Sequence, residues 1–181
     1  MLGWINDCVE KLVIAKFDVK TWHIVKHEAG CTVADGDFLK LEHYPDKSTI
    51  DLVVAIAEVS GLTVEQVLET FGAFFTPYII NEGYESLLCC QGSTMKDWMT
   101  NINAIHGHLQ TTFPKKMIMP EFWCEEGADG TLTLYYHSKR GNMLAPLAVG
   151  LVCEVARRQF ELDLVMGMLT TQDVEGAPFT S

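Results

Sequence analysis

A chain of 181 residues, 48% of them apolar, holds one domain or two closely packed subdomains with a sizeable core. Its net charge of −11 argues against nucleic acid and anionic membrane surfaces as partners. It has no apolar run of about 20 residues and no basic signal-peptide start, and its cysteines form no C-x-x-C motif. A cytoplasmic protein with reduced thiols is therefore expected, without a zinc ribbon or a thioredoxin-type site.

Residues 2–17 carry Trp4, Ile5, Cys8, Leu12 and Val13 at helical spacing. Asp18 is placed to cap a second helix bearing Trp22, Val25 and Ala29, which Gly30 stops. His23 and His27 sit four apart on it, a spacing that can bind metal. No carboxylate or cysteine completes such a site nearby in the sequence, and a solvated pair is the plainer reading. Residues 31–47 read as loop. Ser48 and Asp51 predict a helix start, with Ser60 as its last residue and Gly61 as its stop.

Thr63 and Gln66 form a capping box for a helix through Phe71, Phe74 and Phe75, which Pro77 is expected to end. The phenylalanines read as core. A short helix over 84–90 puts Cys89 and Cys90 in core packing, with a redox role as the alternative. Thr94 and Asp97 open a helix over 95–112 whose apolar stripe is Met95, Trp98, Ile102, Ile105 and Leu109. At about 100° per residue, His106 lies roughly 55° from the stripe's centre and His108 roughly 105°. His108 therefore points towards solvent. His106 sits at the border of the buried face, either as a satisfied core histidine or as a metal ligand.

The run 117–124 reads as an apolar strand start interrupted by Pro120, and a second strand is predicted over Leu132–Arg140 after the turn at 127–130. Strand alternation puts Leu132, Leu134, Tyr136, Ser138 and Arg140 on one face. A phenol, a hydroxyl and a guanidinium at about 7 Å spacing suit two carboxylates or a phosphate at the rim of an apolar cavity. The bland reading is a strand with a polar end near the surface. Arg140 is one of only three arginines, so its place in this row carries weight. Residues 143–160 read as a helix with Pro146 in its first turn, and Leu162–Leu169 as a further strand. One more strand would complete the sheet beyond 176–181, so a fragment of a longer signalling protein is expected. Helices first and strands last make the fold class α+β.

An imidazole at an apolar border and a downstream Tyr-x-Ser-x-Arg row together ask for a large apolar ligand with a central metal and two edge carboxylates. Haem fits that description. The chain resembles the H-NOX (haem nitric oxide/oxygen binding) family, in particular the N-terminal domain of the soluble guanylate cyclase β subunit. The resemblance runs through Leu12-Val13-Ile14, Phe71-Gly72, Glu82-Gly83-Tyr84, Ile105-His106-Gly107-His108-Leu109, Phe113-Pro114, Pro120-x-Phe122-x-Cys124 and Tyr136-His137-Ser138-Lys139-Arg140.

It implies a single domain over 1–181, with a helical subdomain (1–62) packed on a subdomain (63–181) of haem-ligating helix and antiparallel sheet. Ferrous haem b would lie between them. It further implies His106 as the proximal iron ligand, Tyr136, Ser138 and Arg140 on the propionates, and Pro120 pressing on the macrocycle. Ile5, Phe75 and Leu147 would line the distal side. Cys124 matches a cysteine found near the haem in relatives and reads as packing. The segment Leu144–Leu151 has no hydrogen-bond donor for oxygen, so NO is the implied ligand, with CO as another and oxygen bound poorly.

By the same resemblance, NO breaks the iron–His106 bond. The shift is read by a guanylate cyclase or another signalling effector, or by a heterodimer partner subunit, in cGMP signalling. The domain itself would be a non-catalytic sensor. The resemblance departs at Asn103, where many relatives carry an acid, a change that bears on downstream coupling. The alternatives are an oxygen-binding sensor of the same family, a haem-free interaction domain of the same fold, and a haem peroxidase. The last lacks a distal acid–base residue.

Overall fold

The computed structural model describes residues 1–112 and 118–167. Its elements, in order, are α1 (Gly3–Lys16), α2 (Val19–Glu28), α3 (Asp46–Ser60), α4 (Val64–Ile79), a π turn (Ile80–Tyr84) and α5 (Glu85–Cys89). Then come α6 (Met95–Thr112), strands β1 (Glu121–Glu126) and β2 (Leu132–His137), a 3-10 turn (Gly141–Leu144) and α7 (Ala145–Gln159). The two strands pair antiparallel, with Phe122 opposite Tyr136 and Cys124 opposite Leu134. Helices packed with a small antiparallel sheet make the fold α+β. No helix among the described residues is long and apolar enough to cross a membrane.

Local chemistry explains several helix ends. The Asp18 carboxylate accepts the Thr21 amide at 2.7 Å and opens α2. Thr63 and Gln66 exchange side-chain and backbone bonds at the start of α4. Gly61 ends α3 in the left-handed region, at φ 73°.

Four boundaries differ from the sequence expectation. Helix α3 begins at Asp46, not at Ser48, because Pro45 supplies the extended entry and Asp46 sits in the first turn. Helix α4 runs through Pro77 to Ile79, because Tyr78 and Ile79 are buried and their packing outweighs the local break. Strand β2 stops at His137, because β1 begins opposite it at Glu121 and offers no partner to residues 138–140. Ser138 to Gly141 turns instead, with the Gly141 amide on the Ser138 carbonyl at 3.0 Å. Residues 162–167 pair with no strand among the described residues; positions 168 and 169 of the expected strand lie outside them.

The core is built where α1, α2, α3, α4, α6 and α7 meet, around Trp22, Leu52, Phe71, Trp98, Val152 and Val155. Two glycines set its tightest crossing. A Cβ on Gly72 of α4 would lie 2.0 Å from the Leu147 carbonyl oxygen, and one on Gly150 of α7 would lie 2.0 Å from that of Glu69. Only hydrogen at both positions lets α4 and α7 approach this closely. At the other end, the loop before α3 covers the start of α1: the amides of Gly3 and Trp4 donate to Glu42 and Lys40 at 2.8 and 3.0 Å.

Two smaller expectations also change. Cys89 and Cys90 are exposed rather than core, because α5 is a single short turn whose buried residue is Leu88. His23 does meet a carboxylate, from the loop assigned no ligand: its Nε2 lies 2.7 Å from Asp35. The contact is an exposed hydrogen bond, and no group of three or more metal-ligating side chains occurs among the described residues.

Candidate ligand-binding site

A cavity of about 270 Å³ opens between α1, α4, α6, α7 and the sheet. Its lining is almost wholly apolar, and its polar atoms gather at few places. All eight site residues named from the sequence line it: Ile5, Phe75, His106, Pro120, Tyr136, Ser138, Arg140 and Leu147. Cys124 does not. Of the phenylalanine cluster, Phe71 is core while Phe75 faces the cavity.

His106 sits on α6 beyond the buried Trp98 and Ile102, so the apolar stripe of that helix seats it at the cavity edge. Its Nδ1 lies 3.1 Å from the Pro120 carbonyl. A carbonyl only accepts, so Nδ1 carries the proton and Nε2 keeps a lone pair. Burial pushes the imidazole's pKa down, and the bond to Pro120 only partly offsets this. The side chain is thus a neutral, oriented imidazole, the form a metal requires. Phe122 packs between His106 and Tyr136, with ring centroids at 5.6 and 5.4 Å.

Asn103, one turn before His106, fixes that turn of the helix to the sheet. Its amide nitrogen donates to the Phe122 carbonyl at 2.5 Å, and its oxygen accepts the Phe122 amide at 2.9 Å. The primary amide serves both backbone groups at once, which an ionised acid cannot do.

Tyr136 reaches the cavity from β2, and Ser138 and Arg140 reach it from the turn that follows rather than from a continued strand. The Arg140 guanidinium is braced by Asp46. Its Nε and Nη2 donate to that carboxylate at 2.5 and 3.3 Å, and its Nη1 donates to the Ile118 carbonyl at 2.6 Å. Burial alone would raise the Asp46 pKa, but bonds from Arg140 and from the Met1 ammonium outweigh it and pull the pKa down to about 2.

Sequence reasoning missed Asp46, read only as loop before a helix, because its partner is 94 residues away. It also missed Trp4, His43 and Tyr84 on the cavity wall. Trp4 lies edge-on to Tyr84 at 4.8 Å, and Tyr84 arrives through the π turn, where Gly83 takes φ 91°.

The donor set suits a flat apolar group with a metal and two carboxylates: one neutral imidazole, apolar walls, and a corner of phenol, hydroxyl and guanidinium. The fold and site thus define an α+β domain with an apolar cavity edged by one imidazole and one polar corner. The haem-NO-binding family model matches residues 2–168, and the chain belongs to that family, the H-NOX domains. It is 31% identical to soluble guanylate cyclase gcy-35 of Caenorhabditis elegans over 92% of the chain and 24% of that protein. Against soluble guanylate cyclase subunit beta-2 of Rattus norvegicus it is 32% identical over 59% of the chain and 15% of that subunit. The chain thus spans about a quarter or less of these curated relatives. Among solved structures, the H-NOX protein of S. oneidensis in the Fe(II)NO state superposes with a TM-score of 0.73 at 18% identity, covering 88% of this chain and 86% of that one. Unliganded Fe(II) H-NOX from K. algicida gives 0.71 at 20%, covering 88% and 84%. These likenesses establish the H-NOX fold.

Proposed function

We propose that the cavity holds ferrous haem b and that the domain senses nitric oxide. Carbon monoxide would be a second ligand and oxygen a poor one. The observation that carries this reading is the meeting of His106, Tyr136, Ser138 and Arg140 around one apolar cavity. When bound, ferrous haem would supply an iron that takes an imidazole and a diatomic gas. His106 would offer Nε2 to that iron, with its ring held through Nδ1 by the Pro120 carbonyl, and Pro120 would be a wall for the macrocycle. Tyr136 and Ser138 donate to the propionates, and Arg140 adds the charge, steadied by Asp46.

Ile5, Phe75 and Leu147 keep the gas side dry. The 3-10 turn and α7 contribute Leu144, Leu147, Ala148 and Leu151 to the wall, side chains without donors. Bound oxygen carries partial negative charge and needs a donor, whereas NO is held chiefly by the metal; the apolar segment therefore favours NO. His106 would be the one link from α6 to the group, and Asn103 ties that turn of α6 to Phe122, so a change at His106 would carry helix and strand together. A two-state change of this kind can be read by a partner. The proposed boundary between residues 62 and 63 falls in the turn between α3 and α4. The soluble guanylate cyclase relatives support a cyclase as effector, in cGMP signalling, with a second subunit as heterodimer partner.

The oxygen-binding reading draws on one observation. Tyr84 lines the same cavity and carries a hydroxyl that Leu144–Leu151 lacks. Absorption spectra of the reduced protein under argon, in air and with NO decide between the two. The NO reading expects a ferrous Soret band unmoved by air and shifted by NO to the five-coordinate nitrosyl form. A stable oxy spectrum, lost in Tyr84→Phe, would establish the oxygen reading. Absence of any Soret band after haem is added would sink both.

A further inference from the structure

The cysteines divide by environment. Burial pushes the thiols of Cys8, Cys124 and Cys153 above their ordinary range, which makes them poor nucleophiles. Cys89 and Cys90, adjacent at the end of α5, are both exposed. Each sulfur also faces a glutamine amide. Gln159 Nε2, at the end of α7, lies 3.1 Å from Cys89 Sγ, and Gln91 Nε2 lies 3.3 Å from Cys90 Sγ. The Cys90 thiol is turned back on the Leu87 carbonyl at 3.4 Å, whereas the bond at Cys89 is one it receives.

The pair is also wired to the proximal helix. Leu87 and Leu88, the residues just before it, line the cavity. The Leu88 carbonyl accepts the Trp98 indole N–H at 3.1 Å, and the Gln91 carbonyl accepts the Asn101 amide at 2.6 Å. Trp98 and Asn101 both belong to α6.

We propose that Cys89–Cys90 is a thiol–disulfide exchange site for low-molecular-weight disulfides, in which Cys89 attacks and Cys90 resolves. The Cys89 thiolate attacks one sulfur of the small disulfide; that S–S bond breaks, and one small thiol leaves. The Cys90 thiolate then attacks the mixed disulfide at Cys89 Sγ, and the second small thiol leaves. The pair gives up two electrons to the small disulfide, and its two thiol protons pass to the released thiols. Neighbouring Cα atoms are only about 3.8 Å apart across a trans peptide, below the roughly 4.4 Å lower end of ordinary disulfides. The ring so formed is strained and easily reduced, which suits a reversible site. Its closure twists the last turn of α5 and pulls the Leu88 carbonyl from Trp98, so the redox state reaches the helix that carries His106.

The test treats the whole chain with oxidised glutathione and follows intact mass, peptide maps and tryptophan fluorescence. The wild type is expected to lose two hydrogens in the peptide holding Cys89 and Cys90, to change its fluorescence, and to revert with dithiothreitol. Cys90→Ser should stop with one glutathione on Cys89 and no fluorescence change. Cys89→Ser should react about tenfold more slowly. Glutathione that stays on the wild type without a second exchange would overturn the proposal, as would first reaction at Cys31 or any other cysteine.

Discussion

Around His106 the cavity wall is fixed by directional bonds: Nδ1 on the Pro120 carbonyl, and the paired Asn103 bonds to Phe122. Around Ile5, Phe75 and Leu147 the side chains have no polar atoms, and position comes from contact alone, through the glycine crossing of α4 and α7. The two walls should therefore fail differently. Hydrogen bonds can be removed singly, at about 1 kcal/mol each, with the fold intact. Close packing has no such fine steps, because interiors transmit strain. The division would suit the switch proposed above, with one side that moves and one that stays rigid.

The largest effect is expected where the directional wall meets the ligand. His106→Gly should reduce haem retained through purification more than about tenfold. Added free imidazole should restore the Soret band, because the cavity is otherwise unchanged. Far-UV circular dichroism should match the wild type. Loss of helical signal together with haem would mean that His106 serves the fold rather than the ligand.

Next comes the packed wall. Gly150→Val sets a branched side chain against the Glu69 carbonyl, where even a Cβ has only 2.0 Å. Destabilisation of about 3 kcal/mol is expected, seen as a lower denaturant midpoint. Unlike His106→Gly, this variant should lose fold and ligand together, and imidazole should not rescue it.

The same division explains what could be read from the chain beforehand. The caps of α2 and α4 and the apolar stripe of α6 are local patterns, and all three were legible. So was the placement of His106 at the border of that stripe. The eight residues that the family resemblance named do line one cavity, but spacing alone left His106 and the Tyr136-x-Ser138-x-Arg140 row open to plainer readings. The end of β2 was not, because it depends on where β1 begins. Nor was the passage of α4 through Pro77, which burial of Tyr78 and Ile79 decides. Asp46 was invisible for a simpler reason: nothing local to residues 45–47 points to Arg140. Exposure of Cys89 and Cys90 was likewise a tertiary fact, since α5 has one buried residue to spend and it is Leu88.

Asn103 allows a finer cut at the directional wall. Asn103→Ala leaves the Phe122 amide and carbonyl without these partners, and a loss of about 2 kcal/mol is expected. Asn103→Asp keeps the bond from the Phe122 amide but turns a carboxylate oxygen on the Phe122 carbonyl, so about 1 kcal/mol should be lost. Both variants should keep the argon spectrum, because His106 and Pro120 are untouched. If Asn103→Asp proved the more damaging, the carbonyl contact would be the dominant half of the pair.

The smallest effect lies at the carboxylate that braces Arg140. The Asp46 pKa is about 2 in the folded chain, against about 3.9 unfolded. A depressed pKa means that the unfolded chain takes up the proton first as pH falls. The stability from Asp46 is therefore fully present above about pH 4. It is lost as pH falls towards about 2, where the folded carboxylate also protonates. The side chain is 37% exposed, so solvent screening holds the contribution to about 1 kcal/mol or less. Comparing wild type with Asp46→Asn by urea unfolding from pH 6 to pH 2 should show a difference that is constant above pH 4 and shrinks below it. A difference that persisted at pH 2 would assign the role of Asp46 to its shape and hydrogen bonds rather than to its charge. Arg140 would then be steadied by the geometry of its bonds to Asp46 and to the Ile118 carbonyl.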